Sequence, residues 1–225
     1  PSQATCRDWS HGGRYGDVEA FLPQLDAGPA GLFLVGFSLG GSVLLNYLAR
    51  GRVDPRVVAA ASVSAPLDLP AASEVLHAPK NRLYHDYLLR ALKRDYLNPH
   101  SSLTPAERDA VRRARTLFEV DDRFTAPHHG FGRAADYYRE VSALSRLSAI
   151  TVPTALLHGV DDPFIPPDPY HRVRGRAVRV GLAAGGGHLG FHDRRGLWHL
   201  RQCSRLLAQL GLVGEGLPAA AAMCS

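Results

Sequence analysis

A serine lies at the centre of a glycine-bounded turn early in the chain. The sequence from Gly36 to Gly40 reads G-F-S-L-G, with Ser38 in the middle. It lies between the apolar run at residues 31–36 and a leucine-rich segment with helical spacing. In such a strand, turn and helix this pattern is typical of a nucleophilic serine whose hydroxyl attacks a carbonyl carbon. The alternative is a glycine-rich turn in which Ser38 only caps the following helix.

The residues beside Ser38 fit the same interpretation. Gly36 and Gly40 have no side chain, so they would let the strand and the helix approach closely around a strained turn. The backbone N–H of Leu39 would point at the carbonyl oxygen of a substrate and stabilise the negative charge that develops there. We therefore predict Leu39 as an oxyanion donor.

Two aspartates are candidates for the acid that would orient a base. Asp161 and Asp162 follow the apolar run at residues 154–158, where a strand entering a polar turn would hold a carboxylate at the sheet edge. Pro163 restricts Asp162 to extended backbone angles and so fixes its direction. One of the two aspartates is expected only to accept hydrogen bonds from the turn. The residues alone leave open which one.

The base is expected in a glycine-rich segment near the end of the chain. His188 follows the three glycines at residues 185–187 and precedes Gly190. Glycines on both sides let a loop bring an imidazole close to another backbone, and serine, acid and histidine then follow one another in the order expected for a nucleophile, an orienting acid and a base. His192 is the alternative, but it lies beyond the glycines. Three further histidines in polar loops are expected to be surface or structural residues: His11, His128 and His129.

Strand and helix patterns alternate around these residues. Short apolar or β-branched runs predict strands at 31–36, 57–64, 154–158 and 177–182. Helical spacing predicts helices at 15–25, 39–50, 82–97, 105–118, 133–143 and 195–210. The predicted fold class is α/β with a mostly parallel sheet. We expect the strand at 31–36 to be buried on both faces.

The predicted domain covers residues 1–210. Between the second and third predicted strands the pattern is helical, which indicates a cap at about 66–130 inserted into the sheet topology. Within it, Thr104 and Glu107 have the spacing of a capping box at a helix start. The segment 211–225 lacks an amphipathic pattern and is predicted to be a disordered tail.

Composition excludes several classes of protein. With 225 residues, 45% of them hydrophobic, the chain can bury a sizeable core, and its apolar runs are shorter than the roughly 20 residues of a membrane span. The first residues do not read as a signal peptide. The odd number of unpaired-looking cysteines, three, favours a reducing cytoplasm. We predict a cytoplasmic protein with no transmembrane segment.

The same composition argues against metals, cofactors and nucleic acids as ligands. No cysteine pair indicates a metal site, and we expect neither a metal nor a dinucleotide cofactor. The net charge of +5 comes mostly from arginine. Its densest cluster follows the capping box and is expected to be a solvated helix face: Arg112, Arg113 and Arg115.

Six short motifs follow one another along the chain. They are GFSLGG at 36–41, SAPLD at 64–68, DDRFTAPHHGF at 121–131, DYY at 136–138, DDPF at 161–164 and GGHLGF at 186–191. Their joint order resembles the YheT-like, or AB hydrolase 4, group of α/β-hydrolases. The resemblance implies an α/β-hydrolase fold without a cofactor. It also implies that Ser38, Asp162 and His188 form a catalytic triad, because the acid of that family stands three residues after the position of Gly159.

The resemblance carries two further expectations. The segment 121–131 matches a family stretch that we place where the cap returns to the sheet, with a structural role. Family members also have early strands and an oxyanion-loop His-Gly motif upstream of the segment matching residues 11–17. We therefore expect a chain truncated at its N-terminus that lacks a second oxyanion donor and is less active and less soluble than a longer one.

The leading functional hypothesis is a serine esterase that cleaves a medium-chain acyl or monoacylglycerol-type ester through an acyl-enzyme. Its partner would be a small-molecule or lipid ester. Two alternatives stay open: an acyltransferase that uses an alcohol as acceptor, and a non-catalytic binding module that keeps only the fold. The sequence does not indicate an oligomeric state.

Overall fold

The computed structural model describes residues 11–212, which form two compact units. The sheet unit contains residues 12–67 and 143–212, and the helical unit contains His11 with residues 68–142. The ten α-helices of this part of the chain are α1 Tyr15–Phe21, α2 Leu39–Arg50, α3 Leu69–His77, α4 Arg82–Tyr96, α5 Pro105–Arg113, α6 Leu117–Val120, α7 Ala126–His128, α8 Ala134–Val141, α9 Asp168–His171 and α10 Trp198–Gln209.

Four parallel strands form the centre of the sheet unit. They lie in the order β1 Leu32–Phe37, β2 Val57–Val63, β3 Thr154–Gly159 and β4 Val178–Ala183. A two-residue antiparallel pair follows, β5 His192–Asp193 with β6 Gly196–Leu197. The predicted parallel α/β sheet is confirmed, and all four predicted strands are present. Because the carboxyl ends of parallel strands share one edge, the loops after β1, β2 and β3 converge there.

The inner strands are buried and the outer ones are not. Every residue of β3 is buried, and so is nearly all of β2, in which Ala59, Ala60 and Ala61 leave room for the helices. By contrast, Val35 and Phe37 of β1 are 39% and 41% exposed. The expectation that this strand is buried on both faces is therefore wrong. The apolar residues correctly predicted a strand. Within residues 11–212, however, β1 is the end strand of the sheet and has a neighbouring strand on one side only.

The helical unit has two apolar cores. One joins α4, α5 and the segment Asp121–Thr125 through Leu89, Tyr96, Val111 and Phe124. The other packs around Tyr137 and Tyr138 of α8. The cap predicted at about 66–130 falls within this unit, which extends to Ser142; its role as a cap stays a prediction.

Local capping explains where the predicted helices differ. The capping box is confirmed: Thr104 Oγ1 accepts the Glu107 N–H at 3.3 Å, and Glu107 Oε2 accepts the Thr104 N–H at 2.8 Å. The helix predicted at 105–118 is interrupted, because Thr116 caps a new helix, α6, by accepting the Glu119 N–H at 3.0 Å. Helix α3 was missed; it begins at Leu69 and is capped by Asp68, whose carboxylate accepts the Ala71 N–H.

Three further predictions concern the ends and surface of the chain. The predicted disordered tail lies outside the described residues except for 211 and 212. Within residues 11–212, no helix is both long and apolar enough to cross a membrane. The arginine cluster at the end of α5 is exposed, as predicted for a solvated face: Arg112, Arg113 and Arg115.

Candidate active site

Ser38 lies in a strained turn between β1 and α2. Its φ of 49° and ψ of −126° are unfavourable for a residue with a side chain, and such strain is typical of the turn that presents a nucleophile. The turn is held by the Ser38 N–H, which donates to the Val63 carbonyl at 2.8 Å. The Ser38 side chain makes no capping hydrogen bond to α2. The alternative that Ser38 serves as a helix cap is therefore wrong.

Glycines make the turn possible, though not the pair that was predicted. A Cβ on Gly36 would lie 2.6 Å from the Gly40 carbonyl oxygen, and one on Gly41 would lie 2.5 Å from Ser62 Oγ. A Cβ on Gly40 would meet nothing within 4 Å. Gly36 is thus needed for the close approach of strand and helix. The same role for Gly40 is wrong, because the tight contact with β2 and its loop is made by Gly41.

A chain of hydrogen bonds joins the three predicted triad residues. His188 Nε2 lies 2.9 Å from Ser38 Oγ, and His188 Nδ1 lies 2.8 Å from Asp162 Oδ2. The Asp162 side chain is fully buried, and that of His188 is 17% exposed. Asp162 Oδ1 accepts the N–H groups of Phe164 at 2.8 Å and Ile165 at 3.1 Å. The buried carboxylate therefore has a hydrogen-bond partner on both oxygens, which offsets the cost of its burial.

The neighbouring aspartate has a different task. Asp161 Oδ1 accepts the Gly187 N–H at 2.9 Å, and its Oδ2 accepts the Gly186 N–H at 3.2 Å. Asp161 therefore fixes the backbone of the loop that carries His188. Both aspartates accept backbone N–H groups, but Asp162 also faces His188, so Asp161 is the one that serves only the backbone, as expected for one of the two.

The loop of His188 is shaped by positive φ angles and by a serine that directly follows β2. Gly186 and Gly187 have φ of 140° and 57°, which a residue with a side chain rarely adopts. The hydroxyl of Ser64, itself at φ 51°, donates to the His188 carbonyl oxygen. Sequence reasoning missed Ser64, although it begins the SAPLD motif. His192 lies exposed in β5, and no hydrogen bond joins it to Ser38 or Asp162.

Leu39 is the first residue of α2. The first N–H groups of a helix have no acceptor within the helix and point along its positive end, where they can stabilise an anion. This position suits the predicted oxyanion role of Leu39, which stays a prediction.

The remaining candidates belong to the helical unit. His11 is buried rather than on the surface, and its ring lies 4.2 Å from that of His129. The segment 121–131 lies inside the unit, so its expected place at the return to the sheet is wrong. Asp121 accepts the Tyr138 hydroxyl at 2.7 Å, which supports the expected structural role; that role stays a prediction. Among residues 11–212 no cluster of three or more potential ligands could hold a metal ion.

Comparison with known proteins gives the class to which this fold and site belong. The model of the alpha/beta hydrolase family matches residues 2–198. The chain therefore belongs to the alpha/beta hydrolase family. The predicted α/β-hydrolase fold is confirmed.

Particular relatives support the resemblance to the YheT-like group. The chain is 37% identical to YheT of Escherichia coli (strain K12) over 80% of this chain and 55% of that protein. It is 34% identical to Phospholipase ABHD3 of Mus musculus over 84% of this chain and 47% of that protein. The crystal structure of Paleococcus ferrophilus monoacylglycerol lipase aligns with a TM-score of 0.52 and 18% identity, over 91% of this chain and 77% of that one. The chain spans about half the length of the curated relatives described here.

Proposed function

We propose that this chain carries the active site of a serine hydrolase that cleaves carboxylic esters. The observation that carries the proposal is the hydrogen-bonded series from Ser38 Oγ through His188 to the buried carboxylate of Asp162. A serine hydroxyl is a weak nucleophile, so it needs a base within hydrogen-bond distance and a group that orients the base. Both are present here, in the order and fold typical of this chemistry.

The proposed reaction has two halves. Ser38 Oγ attacks the ester carbonyl while His188 Nε2 takes the hydroxyl proton, and the oxyanion accepts the Leu39 N–H. The tetrahedral intermediate collapses when His188 returns the proton to the departing alcohol, which leaves an acyl group on Ser38. Water, deprotonated by His188, then releases the acid and regenerates the serine. Throughout, Asp162 stabilises the imidazolium form of His188 without becoming protonated.

The names of the relatives support a proposal for the substrate class. We propose a medium-chain acyl or monoacylglycerol-type ester, because a relative more than 30% identical is named a phospholipase, and phospholipids share the glycerol ester bond. The substrate would be a small molecule or a lipid, bound without a metal or an organic cofactor.

The test is covalent labelling by a fluorophosphonate, which reacts with activated serines. The chain should be labelled and should hydrolyse p-nitrophenyl esters of graded acyl length. Ser38→Ala and His188→Ala should each lower kcat by roughly 10⁴-fold or more, with the double variant little worse, since the two residues act as one unit. Ser148→Ala, which alters an exposed serine of the same unit, is the control and should behave as the unmodified chain. Labelling that persists in Ser38→Ala would contradict the proposal.

A further inference from the structure

A second histidine lies behind the proposed acid. His158, in β3, is fully buried, and its Nδ1 is 3.8 Å from Asp162 Oδ2. This is the oxygen that also faces His188 Nδ1 at 2.8 Å. Within the part of the chain that the structure describes, neither ring nitrogen of His158 has a hydrogen bond of normal geometry. Burying an imidazole without such a bond costs free energy, so the presence of His158 at this position calls for an explanation.

The ring of His158 is held in one orientation. It stacks on Tyr170 with a centroid distance of 4.2 Å and an interplanar angle of 5°. Tyr170 is fixed in turn, because its hydroxyl donates to the Ala65 carbonyl at 2.8 Å. Burial raises the pKa of Tyr170, so the hydroxyl keeps its proton and remains a donor. The imidazole therefore presents a fixed edge to Asp162.

Burial also sets the charge of this histidine. It lowers the pKa of His158, against the opposing effects of the Asp162 carboxylate and the Ile165 backbone. Charges on His188 and Asp161 act on the ring as well, in opposite directions. The neutral imidazole has one N–H and one lone pair, and only the tautomer with the proton on Nδ1 avoids directing a lone pair at Asp162 Oδ2.

We propose that His158 is a positioning residue for Asp162, holding the carboxylate in register with His188 through the Nδ1–H dipole. At 3.8 Å this is an electrostatic interaction rather than a hydrogen bond, and it is strengthened by the dry surroundings. Because the ring is neutral, it stabilises the negative charge without forming an ion pair that would compete with His188. The role in catalysis rests on the proposed function, whereas the geometric role does not.

Two substitutions separate positioning from packing. His158→Asn puts an amide N–H near the place of Nδ1 but leaves a cavity, whereas His158→Leu fills the space without a donor. If His158 positions Asp162, the Asn variant retains most of kcat, and the Leu variant loses about 10- to 100-fold in kcat with KM unchanged. A purely structural role predicts the reverse order, with activity following the melting temperature. Leu equal to or better than Asn in kcat overturns the proposal.

A measurement independent of activity keeps the two proposals apart. In ¹⁵N-histidine NMR, the proton on His188 Nδ1 should give the slowly exchanging resonance of a hydrogen-bonded proton, both in the unmodified chain and in His158→Asn. It should broaden or shift upfield in His158→Leu. The control is His85→Leu, which removes a buried histidine of the helical unit and should leave the resonance unchanged. If fluorophosphonate does not label even the unmodified chain, the proposed function fails. The NMR comparison still decides on His158, and an unchanged resonance in His158→Leu would refute it.

Discussion

At the scale of single residues, the adjacent carboxylates of Asp161 and Asp162 differ in the groups that they bind. Asp162 faces His188 and is buried, whereas Asp161 is exposed and binds two backbone N–H groups of the glycine loop. A carboxylate that must stabilise an imidazolium has to lie close to it, and of the two only Asp162 faces His188. Asp161 instead positions the loop that carries the imidazole of His188.

This division predicts different losses for the same substitution. Asp162→Asn should lower kcat by roughly 10⁴-fold with the fold retained, since an amide no longer selects the tautomer of His188 that can accept the Ser38 proton. Asp161→Asn keeps one acceptor oxygen for the loop and should cost about tenfold or less. Steady-state kinetics on a p-nitrophenyl ester, with circular dichroism to check folding, compares them. Equal losses would show that the loop contacts of Asp161 matter as much as the acid.

Local motifs made the triad residues predictable, because each lies in a short segment with its own chemistry. The residues that support them were not predictable in the same way. The bonds from Ser64 to the His188 carbonyl and from Asp161 to Gly187 join segments far apart in sequence. His158 looks like an ordinary strand residue until the fold places Asp162 beside it. Spacing along a chain cannot reveal contacts that only tertiary structure creates.

At the scale of elements, the π-helical turn Asp121–Thr125 contains the carboxylate of Asp121, whose charged form is disfavoured by burial. Burial raises the pKa of Asp121 to about 6, although the hydrogen bond from the Tyr138 hydroxyl favours the ionised form. The folded state therefore holds this proton more tightly than the unfolded chain, in which the pKa is near 3.8. Stability contributed by the group is fully present below about pH 4 and is lost as the pH rises through about 6.

Asp121→Asn should remove this pH dependence. The amide oxygen still accepts the Tyr138 hydroxyl, and no charge is buried at neutral pH. We expect the variant to gain up to about 3 kcal/mol relative to the unmodified chain at pH 7 and almost nothing at pH 4. Chemical unfolding at the two pH values measures the difference. Asp122→Asn is the control, because Asp121 is still present there and the decrease in stability between pH 4 and pH 7 should remain. A parallel decrease in Asp121→Asn would contradict the assignment.

Helix and strand positions were predictable where apolar periodicity was strong, as in α2 and α4. Helix α3 was missed because its first turns are Pro70, Ala71 and Ala72, which show little periodicity, and its start depends on the Asp68 side chain. The strand at Leu32–Phe37 was predicted, but the exposure of its Val35 and Phe37 side chains was not. Apolar side chains indicate a strand, whereas its neighbours are set by the rest of the sheet.

At the scale of the whole molecule, the proposed triad belongs to one of the two compact units. Ser38 comes from the part before the helical unit in sequence, and Asp162 and His188 come from the part after it. The sheet unit must therefore join two separate segments before any catalytic geometry exists. Parallel pairing of β2 with β3 makes that connection, with Ala60 opposite Thr154 and Val63 opposite Leu157.

The two end strands of this sheet differ in how they resist association. Within residues 11–212, β1 and β4 each pair on one side only. The backbone groups of such an edge can pair with another chain, and charged side chains normally prevent it. Strand β4 carries the exposed Arg179, whereas β1 reads LFLVGF and has no charge. Association of this chain should therefore occur through β1.

Matched substitutions on the two edges test this prediction. Val35 of β1 and Val180 of β4 are the same residue type, and each is 39% exposed. Val35→Lys should raise the concentration at which the chain associates by about tenfold, which corresponds to about 1.4 kcal/mol. Val180→Lys should change it little, because that edge already has a charge. Light scattering coupled to size-exclusion chromatography, over a series of protein concentrations, reports the mass of each variant. An unmodified chain that stays monomeric throughout, or equal effects at the two valines, would show that the β1 edge is not the site of association.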